Sequence, residues 1–223
     1  MRRLSKGPKP DILKEKCDEW TSELLAAVAS GTKPTDTVKN RYRHADVKQA
    51  VIDETHGKCA YCESKIRHIA PGDIEHIVPK SKIPGMAFEW ENLTLACDVC
   101  NGNKGDTYNA DPNHPENDLI DPYVDDPILH LAFFREVIVP RTNSPRAFVT
   151  NSILKLSRGE LVERRRERMD FIDGLLRNYA NSEPKYKSIL LDDLMNNHLK
   201  DSDEYSASCN AYIGRLRNDG ILP

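Results

Sequence analysis

Cys59 and Cys62 are separated by two residues, as are Cys97 and Cys100, and 34 residues lie between the pairs. Two-residue spacing lets both thiolates of a pair reach one tetrahedral ion. Four thiolates close the shell of a zinc ion, which makes such a site structural; it supplies ~10–16 kcal/mol of apparent folding energy in small metal-bound units. Four unrelated buried thiols would not fall into two matched pairs. A thioredoxin-like redox pair would be single and flanked by a βαβ pattern. The other two cysteines, Cys17 and Cys209, stand alone. A second set of polar residues lies between and just after the pairs: Asp73-Ile74-Glu75-His76-Ile77-Val78-Pro79-Lys80, then Glu91-Asn92-Leu93, then Cys100-Asn101-Gly102-Asn103-Lys104-Gly105-Asp106. An imidazole titrates near neutrality, so His76 has the chemistry to take a proton from water.

Glu75-His76-Ile77, Asn92-Leu93 and Cys100-Asn101-Gly102-Asn103-Lys104 fall in the order seen in HNH endonucleases. With both cysteine pairs, the stretch 59–106 resembles that family in its ββα-metal, zinc-knuckle form. The resemblance implies hydrolysis of phosphodiester bonds, with His76 as base and Asn92 orienting the loop that bears it. It also implies Glu75 and Asn101 as oxygen ligands to Mg²⁺ or Mn²⁺, with Lys104 against phosphate near a helix start. Hard oxygen donors suit either ion. Asn103 is an alternative to Asn101. The chain departs from the commoner pattern in two places: Glu75 stands where Asp or His is usual, and Asn101 where a final His is usual. Neighbours on a strand face opposite ways, so Glu75 and His76 share a site only at a strand end or bulge.

These residues need elements to hold them. Leu13, Cys17, Trp20, Leu24 and Val28 step by three or four, which predicts a helix from about 11 to 30, ended by Gly31. A second helix is expected over 45–55, a strand over 72–78 and a short helix after Cys97. Residues 106–130 carry seven acidic groups, four prolines (112, 115, 122, 127) and no Lys or Arg, as a loop-rich connector would. A short strand is expected at 136–139. Ser157 and Glu160 form a capping box for the next helix, whose one face carries Leu161, Arg165, Met169, Ile172, Leu176 and Tyr179. Two more helices are expected at 187–199 and 203–217. The fold class is therefore mainly α around a small ββα-metal core stabilised by a four-cysteine zinc site. It divides into an N-terminal helical segment (1–57), the core (58–106), the connector with its short strand (107–150) and a C-terminal helical segment (151–223).

The chain has 223 residues, 35 acidic and 32 basic, and a net charge of −3. That balance excludes nucleic-acid binding by bulk charge, so a polyanion must meet a local patch. Lys58, Lys65, Arg67, Lys80, Lys82 and Lys104 surround the core motifs as candidate phosphate contacts. Arg164-Arg165-Arg166-Glu167-Arg168 reads instead as a salt-bridged helix face, with Glu160 and Glu163 in reach of the arginines. His56 and His68 read as caps or surface residues. The apolar run 24–29 is far shorter than the ~20 residues of a membrane span. With no signal-peptide pattern the chain reads as soluble and cytoplasmic. A wider resemblance rests on Met1-Arg2-Arg3-Leu4-Ser5-Lys6-Gly7-Pro8, the Trp20 helix, Asp121-Pro122, Asp126-Pro127 and the Arg-rich helix. It is to the HNH nuclease subunits of Septu-type anti-phage systems, sometimes carried with retrons. It implies an ABC- or SMC-like ATPase partner that gates the nuclease, and a nucleic-acid substrate with DNA favoured over RNA. Two alternatives stay open: a non-catalytic zinc-knuckle module that binds nucleic acid or protein, and a stand-alone restriction or homing nuclease. The latter would need a sequence-reading unit, and no helix-turn-helix or finger array is evident.

Overall fold

The computed structural model describes residues 1–66, 70–109, 111 and 113–223. Its first half runs α1 (Asp11–Ala29), α2 (Asp36–Lys39), a 3₁₀ turn (Arg41–Arg43), α3 (Ala45–Glu54), β1 (Asp73–His76), two further 3₁₀ turns (Pro84–Met86 and Trp90–Asn92), β2 (Leu93–Ala96) and α4 (Asp98–Lys104). A 3₁₀ turn (Pro115–Asn117) and α5 (Pro127–His130) lead to β3 (Leu131–Phe134) and β4 (Val137–Pro140). Then come α6 (Pro145–Leu154), α7 (Gly159–Asn181), α8 (Pro184–His198) and α9 (Ser206–Asn218). Two antiparallel hairpins, β1–β2 and β3–β4, are set among the helices. No helix among the described residues is long and apolar enough to cross a membrane.

The apolar spacing of α1 buries Leu13, Cys17, Trp20 and Leu24, while Val28 near its end is half exposed. Gly72 opens β1 with φ +67°, and a Cβ there would lie 3.2 Å from both Ile66 Cγ2 and Leu95 Cδ1, so only glycine fits. One hydrophobic core joins Leu13 and Trp20, the hairpin residues Leu93 and Leu95, and Ile120, Phe133, Ile138, Leu156 and Tyr205. The 107–150 stretch, acidic as it is, thus carries part of that core. A smaller cluster around Met169, Ile172, Leu194, Cys209 and Ile213 holds α7, α8 and α9 together.

The arm before α1 is tied in by polar contacts. Leu4 N donates to Pro122 O at 2.8 Å, Gly7 N to Glu54 Oε2 at 3.1 Å, and Trp90 Nε1 to Gly7 O at 2.9 Å. Lys6 Nζ lies 2.9 Å from Glu54 Oε1 and 3.8 Å above the Trp90 ring. Burial pushes the Lys6 ammonium below its ordinary pKa, with Glu54 acting against that shift. Lys6, a long polar side chain in an irregular arm, gave no sequence signal of this role.

Two sequence expectations are corrected. The Ser157–Glu160 capping box does not form. Ser157 Oγ instead accepts from Ile138 N at 3.1 Å and donates to Ile138 O, stitching β4 to the start of α7, whose N-cap is Arg158. The five-residue basic run of α7 is not one salt-bridged face either. Arg164 pairs with Glu167, but Arg165 is wholly buried, donating to Leu156 O at 2.8 Å with its guanidinium over the Tyr205 ring.

Candidate active site and zinc centre

The two cysteine pairs converge. Cys59 and Cys62 lie in the turn after α3, and Cys97 and Cys100 cap and open α4. The four sulfurs all lie within 4.8 Å of one another, and Cys62 Sγ is 3.9 Å from Cys97 Sγ. Four sulfurs at ~2.3 Å from a common zinc would sit about 3.8 Å apart, so the cluster fits the ion. Hydrogen bonds from Cys100 and Cys59 hold the Cys62 and Cys97 thiols below their ordinary pKa, whereas burial pushes the Cys59 thiol up and the Cys100 thiol also lies above its ordinary value. Cys97 Sγ also accepts from Cys100 N at the helix start. Tetrathiolate zinc carries a net charge of −2, and a cation from outside the knuckles meets it. Arg158 places NH1 and NH2 at 3.7 and 3.8 Å from Cys100 Sγ. Burial pulls the Arg158 pKa down, but the Cys100 and Cys62 thiolates outweigh it and the net shift is upward.

Beside this cluster β1 and β2 pair in unbroken register, Asp73 opposite Ala96 through to His76 opposite Leu93. There is no bulge; His76 is the last residue of β1. Asp73, Glu75, His76 and Asn101 nevertheless border one cleft of about 300 Å³, with Tyr42, Arg43, Lys80, Ser81 and Asp106 on its other sides. His76 Nε2 is 3.0 Å from Ala87 O, and the Tyr42 ring packs edge-on against the imidazole at 4.5 Å and 76°. A carbonyl only accepts, so Nε2 carries the proton and Nδ1 keeps its lone pair. Burial lowers the His76 pKa to about 4. Burial raises that of Glu75, with Lys104 opposing the shift.

Asn92 lies under the loop that joins the strands. Its Oδ1 accepts from Val78 N at 2.7 Å, and its Nδ2 donates to Val78 O at 3.0 Å and Met86 O at 2.9 Å. Lys104 sits otherwise than the sequence suggests. The start of α4 is Asp98; Lys104 is its last residue, buried, with Nζ 2.7 Å from Glu75 Oε1 and 2.8 Å from His76 O. It therefore props the two cleft residues from behind and does not reach out to phosphate. Asn101 borders the cleft and donates to Asp73 Oδ2 at 2.9 Å, whereas Asn103 is not among the lining residues. Asp73 escaped the sequence reading. Its signal was the i, i+2 spacing with Glu75, which puts two carboxylates on one face of a strand.

Of the other basic candidates, Lys58 is buried by the C-terminal segment, with Nζ 2.8 Å from Asp203 O and 3.9 Å from Glu63 Oε2, and is not a phosphate contact. Lys82 pairs with Asp106 at 3.3 Å, Lys65 is exposed, and Lys80 borders the cleft. Arg67, His68 and Pro112 lie outside the described residues. A larger groove of about 800 Å³, between the N-terminal arm, α9 and β3, is lined by none of the residues of 59–106.

Over residues 59–107 the chain matches the family model described as HNH endonuclease. That stretch is an HNH endonuclease domain. The chain is 33% identical to the Septu protein PtuB of Bacillus thuringiensis, over 40% of its own length and 33% of the relative's. It is 29% identical to the Septu protein PtuB of Bacillus mycoides, over 60% of its own length and 54% of the relative's. The chain thus spans about a third and about half of these relatives. The HNH domain contains all four cysteines, the hairpin, His76 and α4, while Tyr42 and Arg43 come from the segment before it.

Proposed function

We propose that the protein is a metal-dependent nuclease that hydrolyses phosphodiester bonds of nucleic acid, as the effector of an anti-phage system of the Septu kind. The observation that carries this is the cleft in which Asp73, Glu75, His76 and Asn101 meet at the edge of the HNH hairpin. Two carboxylates and an amide oxygen are hard donors, the set that suits Mg²⁺ or Mn²⁺. Glu75 and Asn101, with Asp73 beside them, would hold such an ion, which supplies charge neutralisation at the phosphate and the leaving oxygen. The protein's own part is proton transfer and positioning. Nδ1 of His76 takes a proton from the attacking water, and Ala87 O, Lys104 and Asn92 hold the ring and its loop in place.

The likeness to Septu proteins supports the defence role. An ATPase partner that gates cutting and docks outside the HNH domain belongs to the same proposal and rests on the wider sequence resemblance. Among the described residues the cysteine cluster is the one group arranged tightly enough to hold a metal unaided. That favours a second reading, a zinc module that binds without cutting.

One experiment separates the two. The purified protein, alone and with the neighbouring gene products, is incubated with supercoiled plasmid and with total RNA in Mg²⁺ or Mn²⁺. Cleavage is expected that mild EDTA stops and added Mg²⁺ restores while zinc stays bound. His76→Ala should lower the rate ~10²–10⁴-fold at unchanged zinc content. Cleavage at wild-type rate by His76→Ala would reject the nuclease reading of this cleft.

A further inference from the structure

The HNH cleft is lined by groups of both charges: the carboxylates of Asp73, Glu75 and Asp106, and the cations of Arg43 and Lys80 beside Tyr42. Lys80 Nζ donates to Tyr42 Oη at 2.7 Å and lies 4.0 Å over its ring. Arg43 Nε donates to the same hydroxyl at 3.3 Å. Among the described residues neither cation pairs with a carboxylate, although the chain carries 35 acidic groups. Tyr42 is itself buried, and its ring rests edge-on against His76. Two uncompensated cations are therefore fixed to one hydroxyl whose ring touches the candidate base. Cations left without counter-charge at the rim of a cleft attract an anion, and both groups suit phosphate: Arg through its planar fork, Lys as a point charge.

We propose that Arg43 and Lys80, held together by the Tyr42 hydroxyl, are a two-pronged clamp for the phosphodiester backbone beside the bond to be cut. The proposal rests on the nuclease reading and deepens it. It draws one prong, Arg43, and the Tyr42 hydroxyl that holds both prongs from the segment before the HNH domain, and the other prong, Lys80, from within it. Tyr42 acts as a positioning residue: it sets the two prongs relative to the imidazole. Duplex DNA and single-stranded RNA share the phosphodiester, so the clamp by itself recognises that group and not the sugar.

The test is binding without any added divalent ion, so that cutting plays no part. Fluorescein-labelled short duplex DNA and a single-stranded RNA of equal length are titrated by anisotropy over a range of KCl concentrations. Arg43→Met and Lys80→Met should each weaken binding of the preferred strand type roughly tenfold. Each should also flatten the salt dependence by ~0.9 of a log–log unit on the duplex, or ~0.7 on the single strand, the loss of one phosphate contact. Lys80→Arg should restore most of that slope. Tyr42→Phe keeps the ring on His76 and frees both prongs; it should raise KM with little loss of kcat. Zinc content and Tm of the Arg43 and Lys80 variants should stay close to wild type, because Arg43 is exposed and Lys80 only half-buried. Unchanged affinity and slope for Arg43→Met, Lys80→Met and their double variant on both probes would overturn the clamp, even if the wild type cuts. A wild type that binds through the clamp yet never cuts would leave the clamp standing and count against the nuclease reading.

Discussion

Lys104 Nζ lies 2.7 Å from Glu75 Oε1, and both side chains are buried, 2% and 7% exposed. A charge pair this deep is held by its partners and not by water, so removing either half strands the other. Lys104 also bonds His76 O, which makes it the hinge pin between the two adjacent cleft residues. Lys104→Met should therefore cost about 3 kcal/mol of stability and most of the cleavage rate. Glu75→Ala leaves Lys104 bare beneath it and should lose a similar amount. Chemical denaturation of Lys104→Met, Glu75→Ala and the double variant Glu75→Ala/Lys104→Met measures this. The double variant should recover part of the loss, and additive losses would show that the pair is not coupled.

Asn92 satisfies three backbone groups with one amide. Asn92→Ala leaves all three without that partner, at a cost of roughly 1–3 kcal/mol for each group that water does not reach. Asn92→Asp should be at least as damaging, because a carboxylate would face the carbonyls of Val78 and Met86 with no hydrogen to give. Melting temperature and cleavage should fall together in both variants. A variant with wild-type Tm and no activity would instead place Asn92 in the chemistry itself.

The zinc centre should respond in two grades. Cys59→Ser or Cys100→Ser removes a ligand and should release zinc and unfold or precipitate the HNH domain. Arg158→Met removes only the guanidinium at Cys100 and should leave the fold intact while weakening zinc retention ~10–100-fold, the usual cost of losing an outer hydrogen-bonding partner. Zinc release to a chromogenic chelator over time reads both. Equal release from wild type and Arg158→Met would mean that the guanidinium is a bystander.

The cysteine spacing was enough to foresee that the four sulfurs gather, because two-residue pairs leave few other geometries open. The motifs between the pairs likewise led to the hairpin and to the cleft residues Glu75, His76 and Asn101. Helical periodicity placed α1, α3 and α7 to within a few residues. What stayed hidden depended on contacts distant in sequence. Lys104 looks like a phosphate ligand until Glu75 is seen above it. Arg158 and Lys58 look like surface cations, yet one faces Cys100 and the other is covered by Asp203 and Ser206. The strand β3 and helix α6 were missed because an acidic, Pro-bearing stretch precedes them and suppresses the expectation of a core, although Leu131, Phe133 and Leu154 bury there.

The polar ties of the arm carry a consequence for assembly. Leu4, Lys6 and Gly7 leave the ribosome early, but their partners Glu54, Trp90 and Pro122 follow much later. The cover over Lys58 and Glu63, supplied by Asp203, Ser206 and Ala207, is later still. Contacts this far apart along the chain form slowly and last. A growing chain thus holds Lys58 and Glu63 before it holds the residues that cover them. The nascent protein passes through a stage with buried charges uncovered and its arm undocked, which makes that stage the one most open to proteolysis and aggregation.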